Sequence, residues 1–280
     1  MTPVVKRLWQ PGVTALGLFY TAVMGYIVLR PLLRLPFIVV MLPLATLAFF
    51  AFSLGHALWT MGGRRALLFL GLTFGISLLF ESVGVLTGWP YGPYHYTDRL
   101  GAKLFGLVPP LIPIAWFMMA YPSQVLVERL TGGGGREGIG QAIWRAGLSA
   151  MAITGWDLMM DPLMVASGHW VWEVKGGYFG IPAQNYAGWL VTTFTFFLLY
   201  RLLTRHRPAR PWGPSSARFQ ALPIGAYVVT WLANVLIALE AGRTGVAVAG
   251  FFGMGSFALL GLGRLTTADQ GRHRGPRTED

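Results

Sequence analysis

Apolar residues in this chain run in long unbroken stretches, separated by short breaks rich in arginine, glycine and proline. Eight stretches approach the roughly 20 residues that a bilayer core requires. They fall at about 13–29, 36–60, 66–88, 106–127, 142–166, 186–204, 220–240 and 244–264. The pattern predicts an all-α polytopic membrane bundle of about eight transmembrane helices. One helical domain is expected over residues 1–265, with a polar, disordered cytoplasmic tail over 266–280. Lys6 and Arg7 before the first stretch resemble the start of a signal peptide. However, no small-residue cleavage site follows, and Arg30-Pro31 leads directly into the next span, so a retained helix is expected.

Composition agrees with that class. The 280 residues are 54% hydrophobic and 12% charged, against about 25% charged in soluble domains. The net charge of +11 reads as cytoplasmic loops meeting anionic headgroups rather than nucleic acid. Orientation can be tested by counting Lys and Arg on alternate sides. With the N-terminus inside, 16 of the 22 fall on the inner side and 6 on the outer, which supports eight spans in the inner membrane with both termini cytoplasmic. There are no cysteines, so disulfides, iron–sulfur clusters and thiolate zinc sites are excluded. Gly132–Gly135 with Arg136 and Glu137 reads as a flexible connector, lacking the ending of a phosphate loop. Arg205–Arg218 reads as a basic, proline-rich inner loop.

The acidic residues then carry the question of function. Glu128 and Glu137 are expected in loops, solvated. Glu81, Asp157 and Asp161 fall inside predicted spans, and Glu240 ends one. The helices that bear them all run outward, so the four collect in the outer half of the membrane. Asp157 and Asp161, four apart, share one helical face. Such carboxyls either hold helices together by hydrogen bonds or mark a site, and intramembrane carboxyls favour the site. Pro162 cannot donate to the Leu158 carbonyl and should bend the helix there, which is tolerable where the freed group lines a cavity.

Two outer loops, Gly88–Gly101 and Gly168–Trp189, concentrate tryptophan and tyrosine. An interfacial aromatic belt explains any one of them; their concentration on the acidic side suggests the roof of a pocket. His56 is expected to be a packing residue. His95 and His169 lie on the acidic side, but no metal-binding spacing such as HExxH is present, and no metal or cofactor is expected.

Three blocks, ESVGVLTGWPYGPYHYTDRLG (Glu81–Gly101), VPPLIPIAWFMMAYP (Val108–Pro122) and GWDLMMDPLMVASGHWVWEVKGGYFGIPAQNYAGW (Gly155–Trp189), resemble the CruF-type carotenoid hydratases, membrane enzymes of bacteria and haloarchaea. The resemblance covers roughly residues 80–190. It implies a carotenoid substrate and addition of water across the terminal trisubstituted C=C of an acyclic ψ-end group, as in lycopene, γ-carotene or a C50 relative. That chemistry needs a proton, a tertiary carbocation and a water, and no cofactor. A carboxyl kept neutral by apolar surroundings suits the acid, an ionised one can orient water, and aromatic faces stabilise the cation. Asp157 or Asp161 is the expected donor, with its partner and Glu81 positioning water. Trp156, Tyr94, Tyr178, Asn185 and Trp89 are the expected pocket wall. Two rivals stay open: a prenyltransferase whose aspartates hold a magnesium-bound diphosphate, and a proton-coupled transporter.

Overall fold

A computed structural model describes residues 3–133, 137–206 and 209–273. Eight long helices account for most of it: α1 (Pro3–Leu29), α2 (Met41–Met61), α3 (Gly63–Thr87), α4 (Leu111–Thr131), α5 (Ile139–Ala166), α6 (Ala183–Thr204), α7 (Ala217–Glu240) and α8 (Thr244–His273). Each expected span has its helix. Boundaries shift where proline dictates. The fourth begins at Leu111 because Pro109 and Pro110 precede it, and proline suits a helix start but not its interior. The eighth continues to His273, into the segment expected to be a disordered tail; residues 274–280 lie outside the described residues. So do residues 134–136 of the expected glycine connector.

Seven of the eight helices are long and apolar enough to cross a membrane; α5 is not among them, because Asp157 and Asp161 interrupt its apolar stretch. Its position explains how it tolerates them. It packs against α4, α6 and α8, and most of its middle is buried. A helix shielded from lipid on several sides need not be apolar all round. Close approach is part of this shielding. A Cβ at Gly155 would lie 3.0 Å from the Met254 backbone nitrogen of α8, the small-residue contact by which membrane helices pack without a hydrophobic drive.

Helix direction alternates along the chain. The starts of α2, α4 and α6 and the ends of α3 and α5 surround one cavity. Their opposite ends, with the start of α7 and the end of α8, surround another. Thus α5 runs the length of the bundle as its neighbours do, with Asp161 at one cavity and Arg145 at the other.

The two aromatic-rich loops meet in a feature that the hydropathy pattern does not announce. Strand β1 (Tyr94–Tyr96) pairs antiparallel with β2 (Trp170–Trp172), in the register Tyr94–Trp172, His95–Val171 and Tyr96–Trp170. Alternate side chains of a strand share a face. Tyr94, Tyr96, Trp170 and Trp172 therefore all point to one side, over the helix ends.

Candidate active site

Beneath this two-stranded roof lies a cavity of about 110 Å³. Glu81 reaches it from α3, Trp116 from α4, Trp156, Asp157 and Asp161 from α5, and Asn185 and Trp189 from α6. Leu42, Ile112 and Met160 form part of its apolar side. The four polar groups are almost wholly withdrawn from solvent: Glu81 is 5% exposed, Asp157 1%, Asp161 2% and Asn185 2%.

Buried carboxyls need hydrogen-bond donors, and here the aromatic side chains supply them. Glu81 Oε2 accepts from the Tyr94 and Tyr96 hydroxyls, the latter at 2.7 Å, while Oε1 accepts from Trp116 Nε1 at 3.1 Å. Burial, reinforced by the neighbouring Glu81 charge, pushes both tyrosines of β1 well above their ordinary value of 10, so their hydroxyls stay protonated and donate. Asp161 Oδ1 accepts from Trp170 Nε1 at 2.6 Å and Trp172 Nε1 at 3.4 Å. Asn185 joins the aspartates, its Nδ2 donating to Asp157 Oδ2 at 2.8 Å and to Asp161 Oδ2 at 2.9 Å.

The arrangement is unequal. Glu81 and Asp161 each collect three hydrogen bonds, whereas Asn185 is the one donor to Asp157 among the described residues. Beside the carboxyls, the Trp116 and Trp189 rings stack with centroids 3.9 Å apart, and Trp156 meets Trp189 edge-on at 6.0 Å. The cavity thus sets three acids and an amide among aromatic and aliphatic side chains in equal number.

The structure brings together Glu81, Asp157, Asp161, Trp156, Tyr94 and Asn185, as the sequence reading expected. It does not bring in Glu240, which is exposed at the end of α7. Two expected wall residues also stand outside the cavity. Trp89 is 56% exposed and packs on Phe80. Tyr178 donates its hydroxyl to the Leu158 carbonyl at 2.8 Å, the group left without its helical donor by Pro162. Helix α5 continues through Pro162 to Ala166. Tyr178→Phe is expected to leave that carbonyl unpaired, at a cost of about 1–3 kcal/mol. It should lower the melting midpoint in detergent by a few degrees; an unchanged midpoint would mean that Leu158 has another donor.

Trp116, Tyr96, Trp170 and Trp172 are donors to the acids that residue-by-residue reading missed. For Tyr96, Trp170 and Trp172 the signal was the period-two spacing of YHY and WVW, which puts each aromatic pair on one face; Trp116, on α4, carried no such signal. The histidines lie apart from the cavity. His95 pairs with exposed Glu173 at 3.3 Å, and His169 is half-buried, its pKa lowered by that burial. His56 packs as expected, with Nε2 donating to the Phe219 carbonyl at 2.8 Å and Nδ1 accepting from the Tyr121 hydroxyl at 2.6 Å. Among the described residues, no three His, Asp or Glu side chains converge to hold a metal ion.

Comparison with known proteins bears on this geometry. A family model described as carotenoid biosynthesis protein matches residues 36–256, a range that holds every carboxyl and aromatic residue of the cavity. Bisanhydrobacterioruberin hydratase of Haloarcula japonica is 36% identical over 137 residues, an alignment spanning 49% of this chain and 45% of that protein. No solved structure matches.

Proposed function

Because the chain belongs to the carotenoid biosynthesis protein family, we propose that it is a carotenoid hydratase acting on the terminal C=C of an acyclic ψ-end group. The observation that carries this reading is the pair of buried aspartates bridged by Asn185 in a cavity lined by aromatic and aliphatic side chains. The named activity of the Haloarcula japonica relative supports it. So does the size of the cavity. At about 110 Å³, less than the roughly 150 Å³ space that holds benzene, it admits no more than the branched end of a carotenoid and leaves the rest of the rod outside.

Asp157 is the proton donor in this mechanism. Asp161 and Glu81 are surrounded by N–H and O–H donors, which favour a carboxylate, whereas Asp157 has one such donor and a carboxylate one helical turn away. The Asp157 proton adds to the less substituted alkene carbon, using the π electrons for the new C–H bond and leaving a tertiary cation. The Trp116, Trp156 and Trp189 faces stabilise that cation. Water then bonds to it through an oxygen lone pair, and Asp161 takes the proton that the water sheds. The aspartate pair again holds one proton, and no nucleotide, flavin or metal takes part. Glu81 braces the roof through Tyr94 and Tyr96 and keeps a negative charge near the developing cation.

The acidic cavity lies at the outer face in this reading. The basic end and both chain termini face the cytoplasm, as the Lys and Arg distribution favours for a protein of the cytoplasmic membrane. A carotenoid rod embedded in the bilayer would place its end group near that outer interface, where water is at hand. The test is expression in bacteria that accumulate lycopene, γ-carotene or an acyclic C50 carotenoid, with pigments analysed by mass. A product heavier by one water is expected from at least one of them. Folded protein that alters none would overturn the assignment.

A further inference from the structure

At the other end of the bundle is a second cavity, of about 1310 Å³. Six arginines line it against two carboxylates among the described residues. The acids there are Glu128 and Glu137, which the sequence reading placed in solvated loops. Instead Glu128 lies in the last turns of α4, where Gln124 donates to it at 3.3 Å. The Glu137 side chain is 8% exposed, and its Oε1 accepts from Arg145 Nη1 at 2.9 Å and Arg201 Nη1 at 3.0 Å.

Arg201 is the unusual member. It lies on α6 and is only 4% exposed. Its Nη1 is engaged by Glu137, but neither Nε nor Nη2 has a hydrogen-bond partner; Glu128 makes an ion pair with Nη2 at 3.8 Å, too long for a hydrogen bond. Nε and Nη2 form one edge of the guanidinium, the planar two-donor fork that matches two oxygens of an oxyanion. A buried cation with an unpartnered fork is costly unless something engages it. The cavity is far larger than a side chain needs, carries excess positive charge, and sits at the helix ends, the level of lipid headgroups.

We propose that this cavity binds a phosphate-bearing anion, held by the Nε/Nη2 edge of Arg201. The phosphate is either that of an anionic lipid headgroup or free inorganic phosphate. The site is separate from the acidic cavity, so its test requires no carotenoid.

The full-length protein, purified in non-ionic detergent, would be melted during titration with phosphatidylglycerol in one arm and inorganic phosphate in the other. Arg201→Lys keeps the charge facing Glu137 and loses the fork. The wild type is expected to gain several degrees, and the variant to need roughly tenfold more ligand for the same gain, the loss expected for a charge-assisted hydrogen bond. A gain from phosphatidylglycerol alone identifies the headgroup; a gain from both identifies the phosphate itself. No gain from either, or equal titrations for wild type and variant, overturns the proposal. Native mass spectrometry of the wild type makes the test independent of how the variant folds. One retained phospholipid or phosphate is expected, and bare protein after incubation with both counts against the site.

Discussion

Asp157→Asn is expected to leave the protein folded while lowering carotenoid hydration by about 10²–10⁴-fold, the range that a positioned general acid contributes. Folding should survive because asparagine has almost the same shape, and its side-chain oxygen can accept the Asn185 hydrogen bond that Asp157 accepts now at 2.8 Å. No other donor among the described residues depends on Asp157, so the substitution orphans nothing. What disappears is the proton. An amide cannot protonate an alkene, and no cofactor stands in for it in the proposed reaction. The measurement is product yield per folded protein in carotenoid-accumulating cells, alongside a melting curve. Near-normal yield from Asp157→Asn would remove it as the acid and shift that role to Asp161 or Glu81.

The bundle was legible because bilayer thickness writes itself into sequence as apolar length. Eight stretches became eight helices, and the arginine asymmetry between alternate breaks corresponds to the two ends of the bundle. The acids were legible for the opposite reason, since carboxyls inside apolar helices stand out where little else is charged. Their donors were harder to see. Glu81 and Tyr94 are separated by a helix cap and a proline-containing turn, and Trp170 and Asp161 by the turn that joins α5 to β2. Tyrosine and tryptophan also suit a membrane interface, so their type alone could not distinguish belt from donor. Trp89, exposed on Phe80, fits the belt; Trp170, hydrogen-bonded to Asp161, does not. Glu137 was misread because a short hydrophilic segment implies solvent. Its partner Arg201 is 64 residues away, and nothing local to the sequence announces the pair.

Asp161→Asn is expected to behave differently from Asp157→Asn, although the change is chemically the same. Asp161 receives indole N–H groups on one oxygen and the Asn185 amide on the other. An asparagine at this position must present its own N–H₂ to one of those donors. Activity should fall by about 10²-fold or more through loss of the base that receives the water's proton. Stability should fall too, by about 1–3 kcal/mol for the donor left facing a donor. Adding Asn185→Asp to this variant separates the two effects. The new carboxylate on α6 accepts from the N–H₂ introduced at position 161 and, where the Asn185 amide donated to Asp157 at 2.8 Å, accepts the proton that Asp157 carries in the proposed mechanism. The oxygen of the introduced amide still receives the indoles, so the melting midpoint should recover. Hydration should not, because the carboxylate now projects from α6 and no longer lies one turn from Asp157. Recovery of both would mean that the cavity needs only a second negative charge, wherever it sits; recovery of stability alone supports a base fixed at residue 161.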